Sequence, residues 1–81
     1  YRLALKVLKK KIHFVSETKK VLKNDNLKAR IRYRQALQKV SVFQENNFYY
    51  FLFKKPQKSI TSGQFIAVYS DDELVCSGVI H

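Results

Sequence analysis

The segment Lys28-Ala-Arg30-Ile-Arg32-Tyr-Arg34 sets four cations on alternate positions. Side chains two apart on an extended strand share a face, so the spacing predicts Lys28, Arg30, Arg32 and Arg34 on one side and Ala29, Ile31 and Tyr33 in the core. The chemistry such an edge offers is anion recognition. Guanidinium presents a planar fork of donors suited to phosphate oxygens, and holding several on a strand suggests an anionic polymer as partner. The competing reading is that these cations only keep a small domain soluble.

The remaining reactive side chains do not assemble a catalytic set. Cys76, the single cysteine, shares strand parity with Leu74 and Ile80. Apolar surroundings disfavour a thiolate, whereas a reactive cysteine needs cations or a helix N-terminus nearby, so packing is the expected role. His13 and His81 lack a second ligand at metal spacing. Asp71, Asp72 and Glu73 are neighbours, which suits a solvated turn rather than carboxylates placed around a pocket. No Ser/His/Asp arrangement can be argued.

Charge supports the anion-binding reading. Residues 1–34 hold 12 of the 16 Lys and Arg against Glu17 and Asp25, whereas residues 35–81 hold 4 cations against 4 acids, so the formal +10 lies entirely in the first part. A segregated field raises partner concentration and association rate. It does not choose between RNA, DNA and an anionic membrane. Lys9, Lys10 and Lys11 add to this field, and they read equally well as a solvated turn.

At 81 residues the chain is expected to be one domain with a modest core, burying about 60% of its unfolded surface. That leaves little room for a catalytic pocket. It starts at Tyr1, contains no Met and closes on Val79-Ile80-His81, which suggests a piece of a longer polypeptide. A lone cysteine neither requires nor suggests an oxidising compartment, so a reducing cytoplasm is expected. No apolar run approaches the length of a membrane span, and no membrane partner is expected.

The elements that must position these residues are mostly strands. Leu3 to Leu8 alternates, Ile12 to Val15 follows the lysine triplet, and the triplet reads as a turn. Ser16 to Lys23 could form one or two helical turns capped by Ser16, with Asn24-Asp25-Asn26 as a turn. After the cationic strand come Gln38 to Gln44 and Asn47 to Lys54, joined through Glu45-Asn46-Asn47 as a hairpin. Gln64 to Tyr69 and Leu74 to Ile80 flank another turn at residues 70–73. About six short strands with turns every 8 to 12 residues predict an all-β fold, a small antiparallel β-barrel whose closure removes exposed edges.

Phe48-Tyr-Tyr50-Phe51-Leu-Phe53 breaks the alternation. Either both faces of this strand are covered, or one awaits a partner. Tyr49 or Phe51 could stack on unpaired bases; the alternative is packing against a neighbouring domain.

Lys28-Ala-Arg-Ile-Arg-Tyr-Arg-Gln35 resembles the K-x-R-Y-R-Q strand of the tRNA-specific 2-thiouridylases. Pro56-Gln-Lys-Ser-Ile-Thr-Ser-Gly-Gln64 with Ala67-Val-Tyr69 resembles their P-x-x-A-[IV]-T-P-G-Q…A-V-[FL]-Y. Leu74-Val-Cys76-Ser-Gly78-Val-Ile80 is similar to their terminal V-C-L-G-G-G-I-I strand, and Ile12-His-Phe14 stands where the family has N-W-[IV]. Order and spacing agree over essentially all of the chain. The resemblance implies a noncatalytic C-terminal β-barrel spanning residues 1–81. Its parent enzyme would replace the 2-oxygen of the wobble uridine of certain tRNAs with sulfur.

In that family ATP binds an N-terminal pyrophosphatase domain that adenylates the uridine, and a persulfide on one of two cysteines delivers sulfur. The implied partners are tRNA, a sulfur-donor protein and the preceding domains of the same chain. Neither the S-G-G-x-D-S phosphate loop nor the paired cysteines occur here, so no cofactor is expected on the barrel itself. Phe14 replaces Trp, the Pro-Cys after R-Y-R-Q is absent, T-P-G-Q has become Thr61-Ser-Gly-Gln64, and the closing glycine run is shortened. These departures bear on the contacts of the last strand and of the turn before Gly63.

The expected RNA contacts are Lys28, Arg30, Arg32 and Arg34, with Gln35 and Gln64, whose amides can donate to phosphate or ribose. For Gln64 the alternative is that it ties down the Ser62-Gly63 turn. Two other readings stand beside this one. The barrel could be a structural module whose arginines pair with carboxylates of the preceding domains, or an independent small RNA-binding protein.

Overall fold

The computed structural model describes residues 2–15, 26–32, 34–57 and 60–81. They form β1 (Arg2–Phe14), β2 (Leu27–Arg30), β3 (Gln38–Glu45), β4 (Phe48–Gln57), β5 (Phe65–Ser70) and β6 (Glu73–Ile80). All neighbouring strands pair antiparallel in the order β1-β4-β3-β2-β5-β6, and β1 pairs with β6 to close the barrel. This is the all-β six-stranded barrel expected from the sequence. No helix occurs among the described residues, and the helical turn expected at 16–23 lies outside them.

The lysine triplet is not a turn. It lies inside the 13-residue β1, where the register against β6 jumps between Val7↔Ile80 and Ile12↔Gly78. β4 pairs with β1 as far as Leu8, and β6 meets β1 at Val7 and again from Ile12 to Phe14, so extra residues are accommodated where the strand bends between the two. Cations on both sides of Lys10 tolerate this exposed bulge, and the Lys9 N–H still donates to the Asn47 carbonyl at 2.8 Å.

Gly78 faces the same bend. A Cβ there would stand 2.7 Å from Val7 Cγ1, so the absence of a side chain lets β6 approach β1. The β3–β4 and β5–β6 hairpins close through Asn46 and Asp71, both at positive φ (57° and 56°), a region that Asn and Asp enter more readily than most residues.

The core is drawn from one face of each strand: Leu5, Val7, Leu27, Ala29, Val40, Phe51, Phe53, Ile66, Val68, Cys76 and Ile80 are buried, and Ile31 just after β2 joins them. The aromatic strand therefore resolves by parity. Tyr49, Phe51 and Phe53 point inward, and the outer face carries Phe48, Tyr50 and Leu52. Base stacking on Tyr49 or Phe51 is ruled out by this placement, because Phe51 is fully buried and Tyr49 packs edge-on to Phe14 beneath the Lys9 ammonium.

Candidate nucleic-acid interface

The cationic segment is a strand only as far as Arg30. Leu27 and Ala29 are buried and Lys28 is exposed, as alternation requires, but β2 then gives way to a turn. The Gln35 N–H donates to the Arg32 carbonyl at 2.9 Å, and the Gln35 Oε1 accepts the Ile31 N–H at 3.0 Å. A side chain four residues ahead thus captures the donor that would have continued the ladder. The expected single row from Lys28 to Arg34 is corrected to two parts: Lys28 and Arg30 on the strand, Arg32 and Arg34 exposed on a stapled turn. Tyr33 lies outside the described residues.

Arg30 is held in place by the neighbouring strand. Its Nη2 donates to the Tyr69 hydroxyl at 3.0 Å, and its guanidinium carbon lies 5.2 Å from the Tyr69 ring centre. This limits the rotamer freedom that a long cation would otherwise lose on meeting a phosphate. Tyr69 was visible in the sequence only as the end of a motif. Its partnership depends on the β2–β5 register, in which Lys28 pairs with Tyr69 and Arg30 with Ala67.

Gln35 is committed to the scaffold. Its Nε2 donates to Gln57 Oε1 at 3.0 Å, and Gln57 also accepts from Gln38 Nε2 at 3.1 Å and donates to Gln38 Oε1 and the Lys55 carbonyl. Gln57 is the one buried polar residue among the described residues, and these bonds use both the oxygen and the nitrogen of its amide. Sequence reasoning missed it because nothing about one Gln in a polar stretch marks it as buried. Gln64 stands apart from this corner: its Oε1 accepts the Thr61 N–H at 2.9 Å, which ties the turn containing Gly63 (φ 97°).

Other candidate groups stay apart. Burial pushes the Cys76 thiol up to about 12, so a thiolate is not available at neutral pH. A bulge at Val75, between the Val68↔Cys76 and Tyr69↔Leu74 pairs, lets Cys76 face the core while Leu74 of the same parity is exposed. His13 is exposed, the His81 ring rests edge-on to Phe48, and no His/Cys/Asp/Glu group capable of holding a metal occurs among the described residues. What the corner can do is bind anions.

The described residues define the class of domain: a closed six-stranded antiparallel β-barrel with one basic corner. The model of the aminomethyltransferase beta-barrel domain matches residues 5–80, and the chain belongs to that family, in the form found as the C-terminal barrel of tRNA-specific 2-thiouridylases. It is 44% identical over 82 residues to the tRNA-specific 2-thiouridylase MnmA of Christiangramia forsetii and 45% identical over 82 residues to that of Flavobacterium johnsoniae. To the MnmA of Karelsulcia muelleri it is 35% identical over 80 residues. Each match covers 99% of this chain and 21% of the relative, so the chain spans about a fifth of the length of these curated relatives.

Proposed function

We propose that this barrel holds tRNA for a 2-thiouridylase, with Lys28, Arg30, Arg32 and Arg34 gripping the RNA backbone while domains outside this chain perform the ATP-dependent thiolation. The observation that carries this reading is the prepared cationic corner: Arg30 is anchored on Tyr69, and the turn presenting Arg32 and Arg34 is stapled by Gln35. Phosphate contacts of this kind orient an RNA without reading its sequence. Gln35 serves the grip by fixing the turn, and Gln64 by fixing the loop before β5. The same family relationship supports a sulfur-donor protein as a partner of the longer protein and a cytoplasmic setting.

The test is tRNA binding by the full-length protein carrying Arg32→Ala or Arg34→Ala. Each variant is expected to weaken all substrate tRNAs about equally and to flatten the dependence of log affinity on log salt by roughly 0.7–0.9 unit. Unchanged affinity and unchanged slope in both variants would remove the grip.

A second reading is favoured by the outer wall. Leu52 is 41% exposed, Phe43 is 47% exposed and stacks on Tyr50 at 5.0 Å, and these lie on adjacent strands. Such a face suits packing against another part of a longer polypeptide. If the barrel served only as that support, the arginine variants would lower the melting temperature of the full-length protein and leave tRNA affinity intact.

A further inference from the structure

Lys28 and Lys39 are direct cross-strand partners in the β2–β3 pair, and both are exposed. Like charges directly opposite each other destabilise a sheet. The β3–β4 register matches Val40 with Phe53, so one further step sets Lys54 beside Lys39, and both lysines line the same groove. With strands about 4.8 Å apart, three ammonium-bearing positions cross about 10 Å of wall at right angles to the strands. That spacing is close to one screening length at physiological salt, so the repulsion is not simply lost to solvent ions.

The groove measures about 450 Å³ and is lined by Gln35, Ala36, Gln38, Lys39, Lys54 and Lys55, with no acid among them. Gln35 connects it to the basic corner, since the same side chain staples the turn that presents Arg32 and Arg34. Residues 35–81 are neutral overall, yet three of their four lysines gather here. Two features favour a phosphodiester backbone over a lipid surface. Lys39 and Lys54 line a groove between strands, and the row continues a corner already built from arginine forks.

We propose that Lys28, Lys39 and Lys54, flanked by Lys55, form a second phosphate track, along which an RNA backbone passes from the arginine corner into the β3–β4 groove. This rests on the tRNA-holding reading above. Lysine serves here as a compact point charge that neutralises phosphates without fixing their orientation. The cross-strand repulsion, which costs the free barrel stability, is relieved when the RNA is bound.

The experiment uses the full-length protein and a transcribed tRNA with uridine at the wobble position, titrated across a series of KCl concentrations. Variants are Lys39→Gln, Lys54→Gln, the double variant and Lys39→Arg, each also melted without RNA. The expected result is a loss of about 0.7–0.9 unit of salt slope per neutralised lysine, a melting temperature that holds or rises, and recovery of the slope in Lys39→Arg. If the double variant keeps wild-type affinity and slope while Arg34→Ala loses both, the track is wrong and the corner stands. If neither set changes binding, the tRNA-holding reading fails and takes the track with it. Affinity lost together with melting temperature, in the Gln and Arg variants alike, would mark a packing effect and overturn the track. So would binding of phosphatidylglycerol vesicles that depends on the same lysines when tRNA binding does not.

Discussion

Gly78 and Cys76 sit two residues apart on β6 and are constrained in different ways. At Gly78 a methyl group would press on Val7 Cγ1, part of a stiff, buried side chain. Gly78→Ala is expected to cost about 1–3 kcal/mol, and Val7→Ala in the same chain should recover part of it. A double-mutant cycle by thermal melting reads this directly, and strictly additive losses would show that the close approach is not the cause. Cys76 is held neutral by burial, with its pKa raised to about 12. Because the folded value lies above the free-thiol value of about 8.5, the contribution to stability is complete below that pH and is lost as pH rises towards the folded pKa. Denaturant titrations between pH 8 and 10 should therefore show a steeper alkaline loss in the wild type than in Cys76→Ala, and equal losses would contradict the buried thiol. The sequence marked Cys76 as packing because its neighbours are apolar, but the reason for Gly78 depends on the β1–β6 register, which no local pattern reports.

At the scale of elements, alternation was legible wherever a strand runs regularly. Leu5 and Val7 against Lys6 in β1, and Leu27 and Ala29 against Lys28 in β2, could be placed from period two alone. Legibility failed where a single contact overrides the pattern. The bulge at Lys9–Lys11 looks like a turn because a bend between two partners needs the same polar residues that a turn does. The end of β2 is invisible because the Gln35 side chain, and not a Gly or Pro, terminates the ladder. Gln35→Ala is accordingly expected to speed amide exchange at Ile31 severalfold while leaving Phe51 in the core of β4 protected. Unchanged exchange at Ile31 would mean that something other than this staple ends the strand. Gln57→Ala, which leaves Gln35 and Gln38 without their shared partner, should cost about 1–3 kcal/mol in an unfolding titration.

Taken as a whole, the outer surface of the described residues separates charged from apolar side chains. Charge collects at the corner formed by β2, its following turn and the β3–β4 groove, and apolar side chains collect on the outer faces of β3 and β4. Both arise from one barrel wall whose inner face is fully used by the core. The number of strands and the closed sheet were legible from regular turn spacing, but strand order was not, and with it went the neighbours of Arg30 and Lys28. Tyr69 and Lys39 reach the basic segment only because β5 and β3 flank β2. Contact between this corner and RNA can be read by placing a photoreactive residue at Arg34 or, at the far end of β3, at Asn46 in the full-length protein bound to tRNA. Crosslinks to tRNA from position 34 and none from position 46 are predicted. Crosslinks from position 46 alone, or from neither in a protein that still binds tRNA, would show that RNA does not meet the basic corner.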